Sequence, residues 1–116
     1  MNNKELQAAR KLLMLEVSEA AELIGDVSVR SWQYWESGRS AVPDDVETEI
    51  LNLLTIRGMK IDSYLPGIEA GVVVQLPFHN NFEQFEQANP GQNRVAWRIE
   101  QSVAAALYTE GHAELV

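Results

Sequence analysis

Residues 18–37 leave this chain little choice of fold. SEAAELI, opened by Ser18 and stopped at Gly25, reads as a short helix; Asp26-Val27 form a break, and Ser28 can cap a second helix. Successive helical residues turn by about 100°, so Trp32, Trp35 and the aliphatic part of Glu36 fall on one side of the second helix, with Ser28 close by. Arg30, Gln33, Tyr34 and Ser37 fall roughly opposite. Two helices joined by a short turn containing glycine form a helix-turn-helix pattern. The tryptophan side is expected to be buried. The polar side carries Arg and Gln, the side chains that pair bidentately with guanine and adenine edges in the major groove. A tryptophan seam under a polar face also describes an ordinary solvated helix. The capped helix just before it is what turns the reading toward DNA.

The charge balance sets a condition on that reading. The chain of 116 residues carries a net charge of −8, whereas neutralisation of phosphates supplies much of the affinity for nucleic acid. The acid is concentrated in the second half: residues 1–42 hold five Lys/Arg against six Asp/Glu, and residues 43–116 hold four against eleven. An acidic body behind a locally basic face permits specific binding and weakens non-specific binding. The hydrophobic content of 46% is ample for a globular core. No run approaches 18 apolar residues, and no charged-then-apolar leader opens the chain, so neither a membrane span nor secretion is expected. The absence of cysteine removes disulfides and thiolate metal sites and is compatible with the cytoplasm.

Taken in order, residues 3–14 fit a first helix with Leu6, Ala9 and Leu13 on one stripe. Arg10, on this helix, and Glu36, near the end of the second tryptophan-bearing helix, are candidates for a pair, with two unrelated surface charges as the alternative. In the SEAAELI helix, Ala20, Ala21, Leu23 and Ile24 are expected to pack beneath the outer helix. Ser18, at its start, is a candidate phosphate contact, because the free N–H groups of a helix N-terminus attract anions; Glu19 counts against that at close range. Gly38 suits a left-handed helix end, and Arg39, projecting from the turn, is a candidate phosphate clamp, with a solvated loop cation as the alternative. Pro43 suits the first position of a fourth helix, with Asp44, Asp45 and Glu47 at its positive end and Val46, Ile50, Leu53 and Leu54 as its stripe. That helix is expected to end near Gly58.

Residues 58–71 are punctuated by glycine and proline, and IDSYL within them fits either a helical continuation or a turn. VVVQLPF, residues 72–78, is the one convincing strand. A lone strand is not a stable sheet, and its simplest partner is its own copy in a second chain. Asn81 can cap a helix FEQFEQA with Phe82 and Phe85 as an apolar pair. A last helix over 93–109 carries Val95, Ile99, Val103 and Leu107 at a spacing of four, with Ala104, Ala105 and Ala106 making a tight surface. Val73, Val74, Leu76, Val103, Ala104 and Leu107 are the candidate dimer contacts.

With these pieces placed, the chain resembles the anti-CRISPR-associated helix-turn-helix transcriptional repressors, in particular the class with a carboxy-terminal dimerisation region. The likeness is carried by KELQAARKLLMLEVSEAAELIG, SWQYWESGRSAVPDDV and QSVAAALYTEGHAEL; residues 55–92 match loosely. The resemblance implies a mainly α fold: an Xre/Cro-like helix-turn-helix domain over residues 1–57 and a small α+β dimerisation region over 58–116 with one short strand. It also implies a homodimeric phage repressor, acting in the bacterial host cytoplasm, that binds inverted repeats of double-stranded DNA in the promoter of an anti-CRISPR operon and represses its own operon. In family terms Arg30 and Gln33, with Val29 beside them, occupy base-reading positions. Ser28, Ser31, Tyr34 and Arg39 occupy backbone-contact positions, to which Ser18 and Ser40 are added as further candidate backbone contacts.

Two other classes stay open. An antitoxin-like subunit could use the acidic second half to hold a protein partner, and a helix-turn-helix with Tyr34 and arginines exposed could grip structured RNA. Catalysis is not expected. His79 and His112 lack a metal-binding context, no carboxylate pair is singled out by an apolar setting, and there is no glycine-rich phosphate loop or nucleophile elbow. No cofactor and no metal are expected.

Overall fold

In a computed structural model that describes all 116 residues, the chain divides into two compact units, Met1–Thr55 and Ile56–Val116. The first unit holds α1 (Asn3–Leu12), α2 (Val17–Ala20) running into a π-turn (Ala21–Gly25), α3 (Val29–Ser37) and the start of α4 (Asp44–Asp62). The second holds the end of α4, then α5 (Leu65–Glu69), β1 (Val74–Leu76), α6 (Phe82–Ala88), α7 (Arg94–Thr109) and β2 (Ala113–Leu115). The fold is mainly α with one small sheet, as expected.

Local chemistry fixes most helix ends. Asn2 caps α1: its side chain accepts the Glu5 N–H at 2.8 Å while Glu5 Oε1 accepts the Asn2 N–H at 2.8 Å, which satisfies two donors that a helix start leaves free. Leu6, Ala9 and Leu13 line the buried stripe as expected, with Leu6 and Leu13 wholly inaccessible. The α4 helix opens on Asp44, after Pro43, whose carbonyl accepts the Glu47 N–H at 3.0 Å. Asp44, Asp45 and Glu47 occupy its first turn, and Val46, Ile50 and Leu53 are buried. It does not stop at Gly58 but continues to Asp62. A single glycine costs a helix only about 1 kcal/mol, too little to end one with good formers on both sides. IDSYL accordingly splits, Ile61 and Asp62 finishing α4, Ser63 and Tyr64 forming the turn, and Leu65 opening α5.

In the second unit Asn81 caps α6 by accepting the Gln84 N–H at 2.9 Å, and Asn93 caps α7 by accepting the Ala96 N–H at 2.8 Å. Phe85 is buried with its ring centroid 6.4 Å from that of Phe82. Trp97 and Gln101, one turn apart on α7, both donate to the His79 carbonyl, at 2.9 and 3.0 Å, and so tie the β1–α6 connection to the helix.

One expectation fails in this unit, and of the two uses open to the α7 surface, in the same chain or across a dimer axis, the first is the one seen for its buried residues. The strand needs no second chain to pair with, because β1 lies parallel to β2 of the same chain in the register Val74 to Ala113, Gln75 to Glu114 and Leu76 to Leu115. The carboxy-terminal residues HAEL gave no strand signal because three residues are too few for a period-2 pattern to emerge. The tight surface of α7 is also already used. Val103, Ala104 and Leu107 are 2%, 4% and 1% exposed, packed into the core of their own unit, so they are not free to meet another protomer. Val74 and Leu76 are half-buried in the sheet, and of the six candidate dimer residues only Val73 is well exposed.

Candidate nucleic-acid interface

The surface of interest is the outside of α3, and its geometry is set from beneath. Trp32 is fully buried and Trp35 nearly so, their ring centroids 5.4 Å apart, and α3 packs on α1 and α2. A Cβ on Gly25 would stand 3.1 Å from Trp35, 3.2 Å from Trp32 and 3.0 Å from Val27. Gly25 is therefore required by close approach, and the left-handed residue of the turn is Asp26, at φ 50°. The π-turn that precedes it was not legible in the sequence. It leaves Leu23 45% exposed and Ile24 half-buried, while Ala20 and Ala21 are buried. The packing expected of Leu23 is thus absent, because the wider turn rotates it off the buried face.

Arg10 and Glu36 form the pair that the sequence left open. The guanidinium grips the carboxylate through Nε to Oε2 at 2.6 Å and Nη2 to Oε1 at 3.0 Å, and donates Nη1 to the Leu15 carbonyl at 3.0 Å. Trp32 Nε1 donates to the same carboxylate. Trp32 and Glu36 lie at i and i+4 on one helix face, a spacing from which this contact was readable. Burial pushes the Glu36 carboxyl up, but the hydrogen bonds from Arg10 and Trp32, the Arg10 charge and Gln7 together hold it below the usual 4.5. From α1, Asn3 Nδ2 donates to the Glu36 carbonyl at 3.3 Å, a link with no sequence signal. Arg10, Trp32 and Glu36 thus fix the pitch and rotation of α3 on α1.

What α3 then turns outward is the set singled out from the sequence. Ser28 caps the helix by accepting the Ser31 N–H at 3.2 Å, and its hydroxyl donates to Ser31 Oγ at 3.2 Å. Val29, Arg30, Gln33 and Ser37 are exposed, and Ser31 and Tyr34 are half-buried. Gly38, at φ 83°, ends the helix in the left-handed region, as expected for a residue without a Cβ. The turn folds back: the Ser40 N–H donates to the Tyr34 carbonyl at 3.1 Å, and the Arg39 guanidinium lies 4.3 Å from the Tyr34 ring centroid. Ser18 is exposed but is not the cap of α2. Glu16 holds that position, its N–H bonded to Glu19 Oε1 at 2.9 Å. Glu19 is 8% exposed, folded back on its own helix start, while Ser18 stands in the first turn.

Over residues 1–116 the sequence matches the Aca2/YdiL-like family. The chain belongs to that family. It is 57% identical over 116 residues, the whole of both chains, to a protein named the Aca2 repressor of Pectobacterium phage ZF40. It is 32% identical over 110 residues, 93% of each chain, to the uncharacterized protein YdiL of Escherichia coli (strain K12).

In this Aca2/YdiL-like protein the two histidines lie in the second unit. His79 meets Phe85 edge-on, with ring centroids 5.9 Å apart, and His112 Nε2 lies 3.9 Å from Glu110. No group of three or more His, Cys, Asp or Glu side chains is placed to hold a metal ion, and no helix is long and apolar enough to cross a membrane.

Proposed function

We propose that this chain is a sequence-specific DNA-binding repressor that acts as a homodimer on an inverted repeat in a promoter, and that it represses its own anti-CRISPR operon inside the bacterial host cell. The observation that carries the reading is the two-sided character of α3: Trp32, Trp35 and the Arg10–Glu36 pair lock its inner side, and Val29, Arg30 and Gln33 stand exposed together along its first half. A rigid helix presenting an apolar group, an Arg and a Gln fits the major groove, where these match the thymine methyl, the guanine O6/N7 pair and the adenine N6/N7 pair. The name of the phage relative, a repressor identical at more than half of its positions, supports the same reading.

In this mechanism α2, the π-turn and α3 form the helix-turn-helix. Ser18, Ser28, Ser31, Arg39 and Ser40 engage phosphates and set the register, with Tyr34 among them on the same surface, and Val29, Arg30 and Gln33 read bases. Residues 1–57 read DNA and residues 58–116 join the protomers, through exposed apolar groups such as Leu65, Val72, Val73 and Tyr108 rather than through the buried face of α7. Two reading helices about one DNA turn, roughly 34 Å, apart then meet the two half-sites together. Bound over a promoter, the dimer excludes polymerase without a cofactor. Titration of the protein against DNA from upstream of its own gene, with scrambled DNA and an Arg30→Ala variant as controls, tests this. Binding to structured RNA alone, or co-purification of a second polypeptide that blocks DNA, would replace it.

A further inference from the structure

The Arg39 side chain does not project freely from the turn after α3. Its guanidinium lies 4.3 Å from the centroid of the Tyr34 ring, and the backbone that carries it is pinned by three contacts on the same turn. Ser40 N–H donates to the Tyr34 carbonyl at 3.1 Å, Ser37 Oγ donates to that carbonyl at 3.2 Å, and Arg39 N–H donates to Ser37 Oγ at 3.4 Å. The left-handed Gly38 makes this reversal possible. Arg39 remains exposed and Tyr34 is half-buried, so the ring is a partly buried platform under an exposed cation.

Stacking and phosphate pairing do not compete for the same atoms. A ring occupies the face of a guanidinium through the cation–π attraction, whereas the five N–H donors lie in its plane and point outward, in the fork that matches two phosphate oxygens. An arginine held this way also gives up less rotamer freedom when it binds.

Resting on the DNA reading above, we propose that Tyr34 is a positioning residue: its ring preorganises Arg39 as a phosphate clamp at the carboxy-terminal end of α3, and its hydroxyl makes no contact that matters. This departs from the family-derived expectation that Tyr34 itself contacts the backbone.

The test is a fluorescence-anisotropy titration of the full chain against a labelled duplex carrying the inverted repeat upstream of its own gene, at several salt concentrations. Tyr34→Phe keeps the ring, Tyr34→Leu keeps apolar bulk without a π face, and Tyr34→Ala removes both; each is also made with Arg39→Ala. Tyr34→Phe is expected to bind within about twofold of the parent, and Tyr34→Leu and Tyr34→Ala to lose about two- to fivefold. In the Arg39→Ala background neither should cost anything further. Arg39→Ala should lower the slope of log affinity against log salt by about one, and Tyr34→Leu should leave the slope unchanged. A merely structural role for Tyr34 would not vanish when Arg39 is removed. The proposal is overturned if Tyr34→Phe loses as much as Tyr34→Ala, which would make the hydroxyl the contact, or if the Tyr34 and Arg39 losses multiply. If the parent does not prefer the repeat over scrambled DNA, or Arg30→Ala leaves binding intact, the DNA reading itself has failed and the proposal falls with it. Arg30 sensitivity with multiplying losses removes the proposal alone.

Discussion

Arg10 and Glu36, 26 residues apart in sequence, meet through two parallel hydrogen bonds of 2.6 and 3.0 Å with 10% and 8% of their side-chain surface exposed. Removing one partner of a buried pair leaves an uncompensated charge and costs about 3–5 kcal/mol. Arg10→Ala is therefore expected to lower urea-unfolding stability by that order and to loosen α3, with a matching loss of DNA affinity. Replacing both partners with apolar groups is expected to recover much of the stability. A double-mutant cycle by urea denaturation checks both statements.

The same carboxylate sets an acid dependence. The folded Glu36 carboxyl titrates below its ordinary 4.5, so between the two values the unfolded chain binds the extra proton and stability rises with pH. The contribution of Glu36 is present above the unfolded value and lost as pH falls through the folded one. Thermal midpoints measured from neutral pH into the acid range should fall more steeply in the parent than in Glu36→Gln. Parallel curves would exclude Glu36 as the titrating group.

Gly25 lies beneath the tryptophan pair. An added methyl would stand 3.0–3.2 Å from Val27, Trp35 and Trp32, closer than ordinary van der Waals contact, and both indoles are buried. Gly25→Ala is expected to destabilise by about 1–3 kcal/mol, the usual cost of overpacking. Tryptophan fluorescence followed during denaturation reads out the packing and the stability together.

In the second unit the His79 carbonyl has two donors, Trp97 Nε1 and Gln101 Nε2. Trp97→Phe keeps the ring packing and leaves one donor in place, so it should cost about 1 kcal/mol, the typical net worth of one hydrogen bond. Trp97→Ala empties a buried site and should cost about 3–5 kcal/mol. A similar loss for both variants would mean that the hydrogen bond, not the packing, is what Trp97 supplies.

The features legible in the sequence were those with a local cause. The Ser28 and Asn81 caps, the Gly38 helix end, the Leu6/Ala9/Leu13 stripe and the Trp32/Trp35 seam each follow from a spacing or from the chemistry of a single residue. The Arg10–Glu36 pair was visible as one of two possibilities, from an Arg on the first helix and a Glu near the end of the outer one. Features that depend on the rest of the chain were hidden. The π-turn at residues 21–25 answers to the tryptophans above it, and no propensity marks it. Ser18 looked like a cap, but Glu16 and Glu19 already satisfy that helix start. The β1–β2 pairing joins residues some forty positions apart through two helices, and its second strand is too short to announce itself. The α7 stripe was recognised as a packing surface, but sequence does not say whether such a surface packs inside the chain or against another copy. Of the candidate interface, Arg30, Gln33 and Ser37 are on the surface where the helical wheel put them, Tyr34 is half-buried, and Val29 and Arg39 are exposed as well. The link from Arg39 to Tyr34 depends on how the turn after α3 folds back.

The claim on which the account rests is that α3 reads DNA through Arg30. The direct measurement is a titration of DNA from upstream of the gene with parent protein and Arg30→Ala at near-physiological salt. Tight binding to an inverted repeat is expected, with a loss of about 1–3 kcal/mol on Arg30→Ala and base choice relaxed at one position of each half-site. Equal affinity for scrambled DNA, or an Arg30→Ala protein that binds the repeat as well as the parent does, would contradict it.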